Sequence, residues 1–166
     1  MHIGRWLKHA FTTPGAVRRA FPEATLARIR DAVTASEQAH GGEIRFAVEG
    51  NLPWSYLRRD APTRQRATMI FSKLRVWDTE LNNGVLIYVA LADHGIEIVA
   101  DRAIANRIRP EEWQTIIDTM SAAFAAGRFE AGAVAAIEAV GTLLARHFPP
   151  RGRDDINELP NTPAVL

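Results

Sequence analysis

The chain has 166 residues and contains no cysteine. A disulfide framework, a thiolate metal site and a cysteine nucleophile are therefore excluded. Long hydrophobic runs are also missing, since the longest one, residues 84–92, falls far short of the ~20 residues that a membrane-spanning helix needs. The N-terminal segment carries His, Lys and Arg throughout and has no apolar signal-peptide core. We therefore expect a soluble protein that is not secreted and that resides in the cytoplasm.

Several catalytic motifs are missing as well. No Gly-x-Ser-x-Gly elbow is present, and Gly41-Gly42 is followed by neither the P-loop Lys-Ser/Thr nor the dinucleotide-binding pattern. No serine has a matching His and Asp nearby in sequence; the serines are Ser36, Ser55, Ser72 and Ser121. The histidines do not show zinc-binding spacing. The sequence therefore assigns no catalytic residue and no organic cofactor, and the net charge of +1 argues against a nucleic-acid partner.

The central feature that is present is a predicted β-hairpin. Residues 84–92 form an unbroken apolar run rich in Val, Ile and Tyr, which is typical of a strand that is buried on both faces. Residues 96–100 form a second, shorter run after a polar loop that contains Gly95. A short loop of this kind joins antiparallel neighbours, so we expect the two strands to pair in opposite directions.

The segments around the hairpin predict an α/β fold. A helix is expected from Glu23 to about Gly41, and a strand follows in which Ile44, Phe46 and Val48 point inward. A second helix then leads to the hairpin, so the first and central strands are joined by a parallel crossover. Two more helices follow the hairpin, over residues 110–126 and 130–147. We expect a helical segment over residues 1–21, one α/β domain with a small mixed sheet over 22–149, and a proline-rich, extended and partly mobile tail over 150–166.

The helix before the hairpin has two further predicted features. Asp60 is placed to cap it, Pro62 lies in its first turn, and residues 51–56 form a loop before it. Its buried stripe is predicted to comprise Ala67, Ile70, Phe71, Leu74 and Trp77. The opposite face is basic and is expected to be solvated, with anion binding as the alternative; it carries Arg64, Arg66, Lys73 and Arg75.

Residues 1–21 predict a short basic amphipathic helix. Its apolar face comprises Ile3, Trp6, Leu7, Ala10 and Phe11. Arg5, Lys8 and His9 lie off that face. Such a helix either packs across the domain or contacts an oligomer partner, or it lies on a membrane surface through Trp6 and its basic residues. We favour packing, and peripheral membrane contact through residues 1–21 stays open.

The open end of the hairpin is the main candidate site. The central strand begins where its partner ends, so the polar residues that flank them share one edge of the sheet: Asp78, Glu80, Asn82, Asn83 and Asp101. Carboxylate and amide oxygens suit a hard cation such as Ca²⁺ or Mg²⁺, which can neutralise a phosphate for attack by water. The alternative is that these residues serve as caps and turn formers, which use the same residue types.

The other end of the sheet is a second candidate. Ligands in open α/β sheets often bind outside the carboxyl ends of the parallel strands. This end holds Glu49, Asn51, Trp54, Asp93 and His94. Asp93-His94-Gly95 is an ordinary hairpin loop, however, and a histidine in such a loop is more often solvated than catalytic.

Several segments of the chain resemble the TPM domain family. The likeness covers residues 24–149 and is carried by Asn-Asn-Gly-Val-Leu-Ile-Tyr-Val-Ala at 82–90, Ile-Glu-Ile-Val-Ala-Asp at 96–101, Trp113, Phe-Ala-Ala-Gly-Arg-Phe at 124–129, Gly132 and residues 144–149. The Asn-Glu-Leu-Pro segment at 157–160 is similar to a feature of a bacterial branch that lacks a signal peptide and a membrane anchor. The resemblance implies a mixed sheet with helices on both faces.

Two functional hypotheses follow. The resemblance implies that relatives of the chain include acid phosphatases, calcium-binding proteins and accessory subunits of membrane complexes. The first hypothesis is a binding or accessory module for a protein partner, with membrane association left open, because catalytic motifs are missing and the N-terminal helix is amphipathic. The alternative is a phosphatase of low activity that depends on Ca²⁺ or Mg²⁺ bound at the open end of the hairpin.

Overall fold

A computed structural model of the chain describes residues 3–12, 15–150 and 157–166. The helices in this part are α1 (Ile3–Phe11), α2 (Ala16–Ala20), α3 (Glu23–Glu37), α4 (Trp54–Arg58), α5 (Thr63–Lys73), α6 (Arg102–Ala105), α7 (Pro110–Ala125) and α8 (Phe129–His147). The strands are β1 (Glu43–Glu49), β2 (Gly84–Ala90), β3 (Gly95–Ala100) and β4 (Ala164–Val165).

The strands form one mixed sheet in the order β3-β2-β1-β4. β1 runs parallel to β2, in a register that pairs Glu43 with Gly84 and Glu49 with Ala90. β2 runs antiparallel to β3, and Val85 pairs with Ala100. The predicted parallel crossover followed by an antiparallel hairpin is therefore confirmed.

Helices cover both faces of the sheet. Every residue of β2 is buried, as the unbroken apolar run predicts. On one face, Ile87 and its neighbours belong to a core that includes residues of α3, α7 and α8. On the other face, Leu86 and Tyr88 pack with Ala67, Ile70 and Phe71 of α5. The fold is therefore an α/β sandwich with the central strand at its middle.

Gly84 begins β2 at a point where the backbone comes very close to the preceding loop. A Cβ atom on this residue would lie 2.0 Å from the carbonyl oxygen of Val76, a distance that no side chain tolerates. The glycine therefore lets the loop cross directly over the start of the central strand.

The predicted inward-facing residues Ile44, Phe46 and Val48 of β1 are buried, and so are the other four residues of this strand. Alternate residues of a strand face opposite sides, so Glu43, Arg45 and Glu49 share the face away from Phe46 and its apolar neighbours. We refer to these three residues as the charged face of β1. Burial lowers the pKa of Arg45. A buried charge is costly unless it is paired, so this face needs partners from elsewhere in the chain.

Residues 157–166, which we call the tail strand, supply some of these partners. β4 pairs parallel to β1, through Ala164 with Ala47 and Val165 with Val48. Leu159 is buried beside α5. The extended conformation was predicted for this segment, whereas its packing as a fourth strand was not. Residues 151–156 of the predicted tail lie outside the described residues.

The helix α5 and the loop before it differ from the prediction in three ways. The second half of the loop forms the short helix α4, whereas residues 51–56 were predicted to be a loop. Asp60 does not cap α5, because the helix begins after Pro62 and the Asp60 side chain bonds to Arg5 instead. Trp77 lies beyond the end of α5 and is exposed, so it does not belong to the buried stripe.

α1 packs on the domain by contacts that are described below, and packing was the favoured alternative for residues 1–21. None of the helices in the described ranges combines the length and the apolar character that a membrane span requires. The cytoplasmic location and the peripheral membrane contact both stay predictions.

Candidate functional site

The open end of the hairpin brings the predicted polar residues to one edge of the sheet. The Asp101 N–H donates to the carbonyl of Gly84, with 2.9 Å between nitrogen and oxygen. Asn83 directly precedes Gly84, and the carbonyl of Asn82 accepts from the N–H of Ala103 at 3.3 Å. The amide pair and the acid therefore flank the same strand end, as the antiparallel topology requires.

The two asparagines have separate structural tasks. Asn82 adopts a positive φ of 54°, a conformation that asparagine tolerates better than most residues and that turns the chain into β2. Asn83 is buried; its N–H donates to Thr79 Oγ1 at 3.1 Å and its side-chain amide donates to the carbonyl of Gly41. The Asn83 Oδ1 atom is buried and has no hydrogen-bond partner.

Asp101 caps the short helix α6. Its Oδ1 atom accepts from the N–H of Arg102 at 2.6 Å, which satisfies one of the free donors at the start of that helix. Its side chain is almost fully enclosed, with 7% of the residue exposed, and the second oxygen Oδ2 has no hydrogen-bond partner. Asn83 and Asp101 thus each present one unpartnered buried oxygen.

Asp78 and Glu80 do not complete a cation cage around these oxygens. Asp78 is exposed and lies 3.6 Å from Arg75, while the N–H of Glu80 donates to the carboxylate of Glu158 in the tail strand at 2.8 Å. Within the part of the chain that the structure describes, no three His, Asp or Glu side chains form a group that could hold a metal. Ca²⁺ takes six to eight oxygen ligands, so two free oxygens make an incomplete set. The predicted metal site stays a prediction.

The carboxyl end of the parallel strands holds a buried ion pair. Arg66 donates two hydrogen bonds to the Glu49 carboxylate, one of them from Nε to Oε2 at 2.8 Å, and the Tyr88 hydroxyl donates to the same Oε2. The bonds that Arg66 donates to Glu49 raise the pKa of Arg66, and burial raises the pKa of Tyr88, helped by its bond to Glu49. Arg66 is thus buried, and the prediction that it faces solvent is wrong. The available signal was its position one helical turn before Ile70, on the buried stripe.

A second network attaches α1 to the hairpin loop. Arg5 donates to both oxygens of Asp93, with the shortest bond at 2.7 Å from Nη2 to Oδ2, and Nη1 also reaches the carbonyl of Ala61 at 2.8 Å. His9 Nε2 lies 3.0 Å from Asp93 Oδ1, while its Nδ1 accepts from the N–H of Leu52 at 3.2 Å. Because Nδ1 is the acceptor, we assign the ring proton to Nε2, which donates to the carboxylate.

This network stabilises the ionised form of Asp93. Burial on its own would raise the pKa of this carboxyl group, but the hydrogen bonds from Arg5 and His9 outweigh it, and the pKa lies below its usual value. The bond to Asp93 in turn raises the pKa of Arg5. Asp93 was noted in the sequence as a loop residue at this edge, whereas its partners in α1 are distant in sequence and were not predicted.

The other residues noted at this end serve different purposes. The side-chain amide of Asn51 donates to the carbonyl of Thr12 at 3.0 Å. Trp54 is 62% exposed, and its ring contacts that of Trp6 edge-on with 3.9 Å between centroids. His94 is exposed in the loop and adopts a positive φ of 53°.

An apolar cleft of about 630 Å³ lies between the end of β2, the start of β3 and the C-terminal part of α7. Its walls are formed mainly by Leu91, Ile96, Phe124 and Phe129, and polar side chains contribute Lys8, Thr12, His94 and Ser121. A volume of this size suits a small ligand or the side chains of a peptide. Among the described residues that line it there is no carboxylate.

One contact resembles a nucleophile and its base but has the wrong proton arrangement. Ser36 Oγ lies 3.0 Å from His40 Nε2, a pairing that the sequence analysis did not identify. The Nδ1 atom of His40 accepts from the N–H of Gly42 at 3.2 Å, so we assign the ring proton to Nε2. In that tautomer the histidine donates to the serine and does not accept its proton.

Comparisons with known proteins agree with this architecture. The family model of the TPM domain matches residues 18–143. A solved NMR structure, that of the BA42 protein from the psychrophilic bacterium Bizionia argentinensis, is similar with a TM-score of 0.75 and 34% sequence identity. The likeness covers 86% of this chain and 93% of that one. No curated protein matches the chain.

The lowered pKa of Asp93 predicts an acid-induced release of α1. Its contribution to stability is complete above the ordinary carboxyl pKa of about 4 and is lost as the pH falls through the lower pKa of the folded state. Near-ultraviolet circular dichroism in an acid titration should therefore show loss of the contact between Trp6 and Trp54 below pH ~4.

Two variants serve as comparisons in that titration. Asp93→Asn should already show a weaker tryptophan signal at neutral pH, because Arg5 and His9 then lose the carboxylate on this loop and Arg5 keeps Asp60 and Ala61. Asp118→Asn, which changes an exposed residue of α7, should titrate like the parent protein. A full tryptophan signal in Asp93→Asn at neutral pH would contradict the assigned role of the network.

Proposed function

The chain belongs to the TPM domain family, and we propose that it acts as a binding module for a partner protein, with the apolar cleft at the carboxyl end of the sheet as the contact site. The observation that carries this proposal is the cleft itself. Its walls are apolar and it lies where ligands of open α/β sheets often bind, outside the carboxyl ends of the parallel strands.

The polar groups around the cleft specify the chemistry of the partner. Lys8 of α1 places a positive charge at the edge of the cleft, and His94 adds an imidazole. The apolar walls include Phe124 and Ile96. An apolar or aromatic side chain of the partner fits against these walls. A carboxylate next to that side chain complements the charge of Lys8. The partner segment therefore presents an aromatic or large aliphatic residue that is followed closely by Asp or Glu.

The same lining speaks against hydrolysis at this site. General acid–base chemistry needs a carboxyl group or a histidine within hydrogen-bond reach of the reacting atoms. His94 belongs to the described lining, but no carboxylate of that lining is available to orient its ring, and no hydrogen bond joins it to Ser121. Binding therefore explains the composition of the cleft better than catalysis does.

A peptide library tests both the site and the chemistry of the partner. Panning a phage-displayed library on the protein should enrich peptides with an aromatic or large aliphatic residue next to Asp or Glu. The selected peptides, made synthetically, are then titrated by fluorescence anisotropy against the parent protein and against Ser121→Trp, which fills the cleft from α7.

The expected result is at least a tenfold loss of affinity in Ser121→Trp. Ala122→Trp is the matched control, because it adds the same side chain to the neighbouring, exposed position of the helix and should bind normally. Lys8→Glu should weaken binding in the same direction as Ser121→Trp. The absence of any enriched pattern, or equal affinity in Ser121→Trp and the control, would contradict the proposal.

A second candidate is weak binding of a divalent cation at the open end of the hairpin, in support of a phosphatase-like activity. The observation that favours it is the pair of buried oxygens without partners, Asn83 Oδ1 and Asp101 Oδ2, which are hard ligands of the kind that Ca²⁺ and Mg²⁺ prefer. In such a site these two residues would hold the ion, with water in the remaining positions, and the ion would supply positive charge next to a phosphate.

Calorimetric titration with Ca²⁺ and with Mg²⁺ tests this second candidate. Saturable heat in the parent protein and its loss in Asp101→Asn would support it, since the substitution keeps a capping oxygen but removes the charge. Asp118→Asn should behave like the parent. Absence of saturable binding, or hydrolysis of p-nitrophenyl phosphate at the same rate in Asp101→Asn, would remove the hypothesis.

A further inference from the structure

The side chains on the charged face of β1 hold the tail strand mainly by contacts with the backbone of the tail strand. Arg45 Nη1 donates to the carbonyls of Pro160 and Thr162, and the Glu43 carboxylate accepts from the N–H of Leu159 at 3.1 Å. On the side of the tail strand these contacts use backbone carbonyl groups and one backbone N–H group, which every residue except proline has. We call the charged face of β1, where the tail strand binds, the seat. The seat therefore recognises an extended backbone more than a particular sequence.

Side-chain recognition is confined to a few positions of the tail strand. Leu159 and Pro163 are buried, whereas Pro160 and Val165 are exposed. The exposed Glu158 accepts from the N–H of Glu80 at 2.8 Å, and the Asn161 side chain donates to Thr34 Oγ1 at 2.9 Å. Leu159 enters the apolar cluster beneath α5 and thus acts as the anchor. An extended segment with leucine at that position and glutamate before it makes the same contacts, and the tail strand of any other copy of this chain meets that requirement.

The strand pairing that adds to these contacts is short. Two residues of β4 pair with β1, and one further bond runs from the Leu166 N–H to the carbonyl of Val48 at 2.9 Å. Pro160 and Pro163 lack an N–H group and so do not offer a continuous new edge to a further strand. The tail strand closes the β1 edge with few backbone pairs, which makes it an element that copies can exchange.

We propose that the β1 edge is an interface between two copies of this chain, in which each copy places its tail strand on the charged face of the other. Exchange of an identical segment reproduces every contact that the segment makes within one copy, so it needs no new surface. The ligand of this surface is thus an extended segment with the Glu-Leu-Pro pattern at 158–160. This surface is distinct from the apolar cleft, and the proposal does not depend on the proposed function.

Complementation between two full-length variants tests the exchange. Leu159→Ser has a damaged tail strand but an intact seat on β1, whereas Arg45→Gln has a damaged seat but an intact tail strand. Each variant alone should be monomeric by light scattering after size exclusion. A short linker holds a segment near its own binding site at an effective concentration of ~1 mM, so the two variants are mixed at concentrations approaching that value. The mixture should then contain a one-to-one complex of doubled mass.

A peptide experiment guards against failure of Arg45→Gln to fold. A synthetic peptide of residues 157–166, titrated into ¹⁵N-labelled Leu159→Ser, should shift the amide signals of Ala47 and Val48. Its affinity should be at least tenfold higher than for the parent protein, in which an intact tail strand already covers the charged face of β1. The same peptide with serine in place of leucine at 159 should not bind.

A heterocomplex in the mixture, with the shifts located on β1, supports the exchange. Monomers in the mixture together with no peptide binding to folded Leu159→Ser would overturn it. Equal peptide affinity for the parent protein and for Leu159→Ser would overturn it as well, because the site that is bound would not be the one that the tail strand covers.

Discussion

The structure depends on the pairing of three charges that β1 carries into the interior. A buried ion without a partner costs several kcal/mol, so each member of the charged face of β1 fixes the element that pairs with it. Glu49 binds Arg66 and thereby places α5 on the sheet, whereas Glu43 and Arg45 hold the tail strand against the edge. One strand thus determines the position of a helix and of a segment that lies far away in sequence.

The two ends of the sheet differ in what their polar residues are used for. At the open end of the hairpin, turns, caps and the tail strand take up most of the hydrogen-bonding groups, and two buried oxygens are left without a partner. At the carboxyl end, ion pairs attach α1 and α5 but leave an apolar cleft open between the hairpin and α7. The two ends of the sheet therefore combine a polar edge that is mostly hydrogen-bonded with an apolar cleft that is open.

The sequence predicted the elements whose signal is local. The apolar run that became β2 and the loop at Gly95 specified the hairpin, because burial and turn length act over a few residues. Their geometry also correctly placed Asn83 and Asp101 at one edge. Arg66 was misassigned because a basic residue on a helix is usually solvated, and only its buried partner reveals the pairing.

The tail strand and the network around Asp93 were not predictable for a related reason. Their partners are separated by many residues, and neither periodicity nor spacing records a contact such as that between Arg5 and Asp93. Strand β4 comprises just two paired residues, which is shorter than any pattern that alternation can identify.

The most direct test of the central claim is a double-mutant cycle on Glu49→Gln and Arg66→Gln, measured by urea unfolding. If β1 is organised by paired buried charges, each substitution alone costs about 3 kcal/mol and the coupling free energy is about 2 kcal/mol. The exposed pair of Arg30 and Asp31 provides the reference, with a coupling below about 0.5 kcal/mol. A coupling at Glu49 and Arg66 as small as that of the reference pair would contradict the account.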